Sequence, residues 1–236
     1  MRFVYLTVVF FIVGIGLFAI NFDSLVMKAI ERNPDKLAVV LKTYAEYKKA
    51  EAEKHKILAQ AKEPIFVDTT DAPKKGSSEA KYKFVIFTDY QCGYCGKVEE
   101  TIAELETKYG KDMQIAYKHL PLAFHREAEP AARAAWAAGQ QAKFFEYSKE
   151  LFEHQKELEK DLYVSIAKDL GLNMNKFKLD QSSSKSLESI KKDKQEAKEL
   201  GFTGTPIVLV NGIPVRGAYP LGYFENVLQV LDGQAD

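Results

Sequence analysis

Cys92-Gly93-Tyr94-Cys95 holds the only two cysteines of a 236-residue chain. The pair follows directly on an apolar run, Phe84-Val85-Ile86-Phe87. A strand that delivers a CxxC to the start of a helix makes a redox site. At a helix N-terminus, unpaired N–H groups and the aligned peptide dipoles favour negative charge. A sulfur there ionises more readily than free cysteine, whose pKa is roughly 8.5, and is the better nucleophile near neutrality. Cys92 stands in that place. Cys95, one turn on, is positioned to close a disulfide with it.

CxxC is also half of a zinc site, and that reading stays open beside the redox one. A structural zinc takes about four ligands. The chain offers no second CxxC, and its four histidines, His55, His119, His125 and His154, show no metal-ligand spacing. No cofactor is called for.

The whole chain narrows the field. Lys and Arg number 33 and Asp and Glu number 33, so the formal net charge is +0, with no basic excess to track nucleic acid. Apolar residues at 46% are ample for a core. Two cysteines are too few for a disulfide framework.

Residues 1–24 read as a targeting segment. Met1-Arg2 gives a positive start, and Phe3 to Ile20 is an uncharged run of 18 residues. At about 1.5 Å per residue that approaches the roughly 30 Å hydrocarbon thickness of a membrane. The expectation is a signal anchor through residues 3–20, with a cleaved signal peptide or a buried helix as the alternatives. All but the last place the rest of the chain outside the cytoplasm, in the cell envelope, where disulfides persist. Arg2 against Asp23 gives the orientation.

Residues 25–63 read as a helical stalk. Asn33 is a good N-cap and Pro34 fits the first helical position. Leu37, Val40, Leu41, Tyr44 and Tyr47 share a face, a solvated stretch follows, and Ile57, Leu58 and Ala61 resume the apolar stripe. This makes the stalk a candidate for homo-oligomerisation; packing on its own domain is the other reading.

Residues 64–236 form the expected globular domain. Asp68 to Lys83 resembles a linker. Phe84–Phe87 is a strand, Gly96 to Tyr109 a helix and Met113–Leu120 a second strand. Glu127 to Leu200 is helical almost throughout, with pauses at Gly171 and around Ser182-Ser183-Ser184. Ile207–Val210 is a strand, Asn211-Gly212 a hairpin turn, and Tyr219 to Leu231 a final amphipathic helix. The fold class is α/β: a thioredoxin-like mixed sheet interrupted by a helical insertion at about 124–200, with helices on both faces.

Over residues 64–234 the chain resembles the DsbA family of thioredoxin-fold thiol:disulfide oxidoreductases. Three stretches carry the resemblance. One is the strand running into the active site, Phe87-Thr88-Asp89-Tyr90-Gln91-Cys92-Gly93-Tyr94-Cys95. Another is Tyr117-Lys118-His119-Leu120-Pro121-Leu122 with His125 and the alanine-rich helix. The last is Gly204-Thr205-Pro206 followed by Val210-Asn211-Gly212 and Gly217-Ala218. The resemblance implies that Cys92 attacks, Cys95 resolves, and Gly93 and Tyr94 tune the potential. It implies that Pro206 is a cis-proline facing the disulfide, and that the Thr205 backbone pairs with an extended substrate by strand addition.

One position departs from the family pattern. Many members carry a buried glutamate six residues before the first cysteine, thought to handle the proton of the buried thiol; here that residue is Ile86. Asp89 is a candidate for proton handling in its place, with a loop or capping role as the plainer reading. Glu99 and Lys97 are further groups able to act through water. The stalk is similar to the oligomerising arms of some members. The implied function is thiol–disulfide exchange, as oxidase or isomerase, on cysteine-containing unfolded or misfolded envelope proteins, with a redox partner that resets the site. A non-redox peptide-binding chaperone and a metal-binding module of the envelope are the competing classes.

Overall fold

The computed structural model describes residues 27–28 and 30–233. The apolar run 3–20 lies outside them, and among the described residues no helix is long and apolar enough to cross a membrane. The chain divides into two compact units, one ending at Glu53 and the other beginning at Lys54.

Helix α1 spans Pro34–Ala61. Proline suits its first position because that residue needs no intrahelical N–H bond. Within the first unit, Val39, Val40, Leu41, Tyr44 and Tyr47 are all exposed. Tyr47 donates to Glu51 at 3.1 Å and Lys48 pairs with the same carboxylate at 2.8 Å. From Lys54 the helix belongs to the second unit. Ile57 is fully buried, with Leu58 and Ala61 packed against the same core. The domain therefore takes in the last turns of the expected stalk and starts before residue 64, because the resumed apolar stripe is core.

The second unit is built on a sheet of order β1-β3-β2-β4-β5. Its strands are β1 (Lys74–Gly76), β2 (Tyr82–Thr88), β3 (Met113–His119), β4 (Ile207–Val210) and β5 (Ile213–Arg216). β2 runs parallel to β3 and antiparallel to β4. Phe84 and Ile86 face the larger apolar cluster and Phe87 the smaller one on the other side. A strand buried on both faces reads as an unbroken apolar run, which is why β2 stood out in sequence. β1 lies within the stretch expected to be a linker. Lys-Lys-Gly has no apolar alternation, and backbone pairing to the edge of β3 alone defines it.

Between β2 and β3 runs α2 (Gly93–Tyr109). Between β3 and β4 lie α3 (Ala128–Gly139), α4 (Phe144–Glu153), α5 (Lys160–Asp169), α6 (Met174–Ser182) and α7 (Ser184–Glu199); α8 (Leu221–Asp232) closes the unit. Ala131, Ala132, Ala134, Ala135, Ala137 and Ala138 are buried along α3, where small side chains let neighbouring helices approach closely. Gly171 turns with φ +70, and the Ser183 side chain accepts from Ser186 N at the start of α7. These are the pauses expected from sequence. Asn211 and Gly212 both have positive φ, +47 and +87, as a two-residue hairpin turn requires.

Lys118 points from β3 into α7 and is almost wholly buried, with Nζ 3.0 Å from Asp193 and 2.6 Å from Glu196. Burial works against its charge, but the two carboxylates outweigh it and the ammonium pKa rises. Removing one member of a buried ion cluster strands the others. Lys118→Met is expected to cost about 3 kcal/mol in urea unfolding. Lys192→Met, which removes exposed pairs to Asp68 and Asp71, is expected to leave the midpoint in place. Equal losses would contradict this assignment.

Candidate redox site

β2 ends at Thr88, and four residues later Cys92 takes the N-cap position of α2 in an extended conformation, φ −78 and ψ 114. No side chain caps the helix there, so its first N–H groups are free to stabilise charge on the Cys92 sulfur. Both cysteines are free thiols, Cys92 with 7% exposure and Cys95 with none. Cys92 Sγ lies 3.5 Å from the Thr205 carbonyl oxygen.

The two sulfurs titrate in opposite directions. Cys92 is held down to about 5, chiefly by a hydrogen bond from Cys95. Burial opposes this, while Thr205 and the backbone N–H groups of Cys95 and Tyr94 add to it. Burial pushes the Cys95 thiol far up, and the neighbouring Cys92 sulfur pushes it further. The reduced site is thus a thiolate at the helix end over a protonated, buried thiol.

Opposite the pair, Thr205-Pro206 is a cis peptide, with Pro206 buried and its carbonyl accepting from Gly217 N at 2.9 Å. Cys92, Tyr94, Leu122, Phe124, His125 and Thr205 line an apolar pocket of about 550 Å³. Tyr94 and Phe124 stand out at its rim, 64% and 76% exposed. Lys97 Nζ lies 5.4 Å from the Tyr94 ring centroid.

Asp89 is buried and fully occupied as a brace. One oxygen accepts from Gln91 N at 2.7 Å; the other takes Leu122 N and His125 Nδ1, each at 2.8 Å. It ties the loop before Cys92 to the entry of the insertion. Gln91 continues the tie by accepting from Glu127 N at 2.8 Å.

Nothing in the sequence marks Gln155, yet its side-chain amide donates to Tyr90 O at 2.6 Å and to Cys92 O at 2.8 Å. A Cβ on Gly96 would fall 2.9 Å from Gln155 Oε1, so a larger residue directly after the second cysteine would displace that side chain. Tyr90 is also buried, donating to Ser148 Oγ at 3.0 Å on α4. The insertion therefore holds the redox loop from behind.

Ile86 sits in the core, and one turn beyond Cys95 on α2 is the half-buried Glu99, whose Oε1 is buried. Burial raises Glu99 to about 7, against a hydrogen bond from Tyr117 Oη at 2.5 Å and the charge of Lys75. Glu99 and Lys97 line a second cavity, about 680 Å³, behind the helix. Among the described residues no group of three or more His, Cys, Asp and Glu side chains could hold a metal ion.

If Cys95 is the main support of the Cys92 thiolate, Cys95→Ala will raise the Cys92 pKa from about 5 toward the free-thiol value. Thiolate absorbance near 240 nm across a pH titration reads this directly, and an unchanged midpoint would contradict the cause named. A depressed folded-state pKa stabilises the reduced protein above the unfolded value. That stabilisation is lost as pH falls through the folded value. Relative to Cys92→Ser, reduced wild type should therefore lose stability between roughly pH 8.5 and pH 5.

Residues 68–229 match the family model described as Thioredoxin. A Na(+)/H(+) antiporter NhaA 1 from Mycobacterium sp. (strain KMS) is 36% identical over 148 residues, 61% of this chain and 24% of that one. The chain spans about a quarter of the length of the curated relatives it matches. Among solved structures, Wolbachia pipientis alpha-DsbA1 superposes with a TM-score of 0.65 at 22% identity, covering 72% of this chain and 95% of that chain. A periplasmic thioredoxin-like protein from Salmonella enterica serovar Typhimurium gives 0.59 at 26% identity, covering 75% and 96%. The fold is thus that of DsbA-type structures, with their interrupted sheet. The family match runs from the segment before β1 into α8, across both halves of the sheet and the helices between them, and the chain belongs to the thioredoxin family.

Proposed function

We propose that this protein is a thiol:disulfide oxidoreductase acting on cysteine-containing proteins of the cell envelope. The observation that carries the proposal is the divided pair: a sulfur at a helix N-terminus held down to about 5, beside a buried sulfur held up. Thiolate character governs which sulfur attacks and which sulfur leaves easily. A substrate thiolate attacks Cys92 of the oxidised pair, the Cys92–Cys95 bond breaks, and the electron pair leaves on Cys95. In the other direction the Cys92 thiolate attacks a substrate disulfide, and Cys95 or a substrate thiol resolves the mixed disulfide. Gly93 and Tyr94 act on the potential by fixing the donors around Cys92.

Substrate docks in the apolar pocket beside Cys92, as an extended strand along Thr205 and ahead of Pro206. The exposed Tyr94 and Phe124 rings support this, since exposed aromatic side chains around an apolar pocket fit a peptide partner. The periplasmic neighbour and the leader-like residues 1–24 support an envelope location. The exposed apolar side chains of α1 between Val39 and Tyr47 support an oligomerising stalk, which favours shuffling of wrong disulfides.

Cys92→Ser is expected to abolish exchange, and Cys95→Ala to accumulate mixed disulfides on a non-reducing gel. Wild-type rates in Cys92→Ser would end the proposal. Reactivation of scrambled ribonuclease would identify an isomerase. Oxidation of the reduced enzyme alone would identify an oxidase.

A further inference from the structure

Beside the redox pair stands an acid–imidazole pair, its acid buried and its imidazole half-buried, that thiol–disulfide exchange at Cys92 and Cys95 leaves unused. Asp89 and His125 meet at 2.8 Å through Nδ1. The Asp89 side chain is fully buried, whereas that of His125 is 20% exposed. A carboxylate only accepts, so in the neutral imidazole Nδ1 carries the hydrogen and Nε2 the lone pair. Asp89 is itself pinned by Gln91 N and Leu122 N, so the imidazole orientation is set by the fold. The Phe124 ring packs on the His125 ring at 4.4 Å between centroids. The imidazole lines the same apolar pocket as Cys92 and Thr205. Among the described residues the ring's hydrogen bond is the one at Nδ1.

We propose that His125 is the acid–base residue of the substrate side of the exchange, taking the proton from an incoming substrate thiol in the pocket. The proposal rests on the thiol:disulfide reading above. Substrate thiols are mostly protonated at neutral pH, and only the thiolate attacks. His125 Nε2 accepts the S–H proton as the substrate sulfur bonds to Cys92 Sγ. The Cys92–Cys95 bond breaks, its electron pair going to Cys95, which ends as the buried thiol with one proton, matched by the one His125 releases. His125 returns its own proton to solvent. The second substrate thiol then gives its proton to the freed His125 Nε2 and so to solvent, its thiolate attacks the first substrate sulfur, and the Cys92 thiolate leaves. Two substrate thiols are oxidised to a disulfide and one enzyme disulfide is reduced.

The charged surroundings are few. Lys97 of α2 lines the same pocket, the Thr203–Thr205 loop brings no charge, and Asp89 faces the ring from behind. Of the residues that follow on the same segment, Arg126 carries a charge, and the Glu127 carboxylate is taken by Tyr163 Oη at 2.9 Å.

His125→Asn keeps a donor near the Nδ1 position for Asp89 and removes the proton acceptor. The full-length oxidised protein is mixed with a peptide carrying two cysteines, and oxidation of the peptide is followed by acid quench from pH 6.5 to 9.5. The expected result is a rate lowered about tenfold or more in the variant at pH 6.5. The gap should close at pH 9.5, where the peptide thiols ionise unaided. A constant ratio across the range, whether one or less than one, means that His125 only packs the pocket and overturns the proposal. If wild type fails to oxidise the peptide at any pH, the thiol:disulfide reading itself falls.

Discussion

A thiolate next to a buried thiol is stable only where donors face the first sulfur and bulk solvent is kept from the second. Most of the fold around residues 88–96 serves that requirement. The N-terminus of α2 supplies N–H groups, the Cys95 thiol supplies a hydrogen bond, and the buried position of Cys95 keeps it protonated. β2 fixes the height at which the helix starts. Because β2 is packed on both faces, that height cannot drift without disturbing two apolar clusters.

The helical insertion does more than cover the sheet. Gln155 holds the carbonyls of Tyr90 and Cys92, and Ser148 takes the Tyr90 hydroxyl. On the other side Asp89 gathers two backbone N–H groups and an imidazole from separate segments. Each tie is a buried polar contact, costly to leave unmade, so the loop is held in one conformation. Lys118, buried between Asp193 and Glu196, couples β3 to α7 in the same manner. Rigidity of this kind suits a sulfur whose reactivity depends on a few distances.

What could be read from the sequence follows from range. Cys92-Gly93-Tyr94-Cys95 after an apolar run, Asn211-Gly212 between two short runs, and the alanine stripe of α3 are local patterns whose physics is self-contained. The helical insertion and the cis Thr205-Pro206 bond were expected and are found. β1 was not legible, since its residues have no pattern and the edge of β3 alone makes it a strand. Nor was Gln155, whose partners lie 63 and 65 residues away. Ile57 looked like stalk because its periodicity continues that of α1; only its burial assigns it to the domain. Asp89 was a candidate for proton handling with a loop or capping role as the plainer reading, and its oxygens accept from three donors. The imidazole it orients was read only as one of four histidines without metal-ligand spacing and as part of a motif.

The account depends most on the inequality of the two sulfurs. Reduced protein treated with less than one equivalent of iodoacetamide at pH 6, then digested and mapped by mass, measures that inequality directly. The expected result is label on Cys92, with Cys95 untouched until the protein is unfolded. Label on Cys95, or equal label on both, would contradict it.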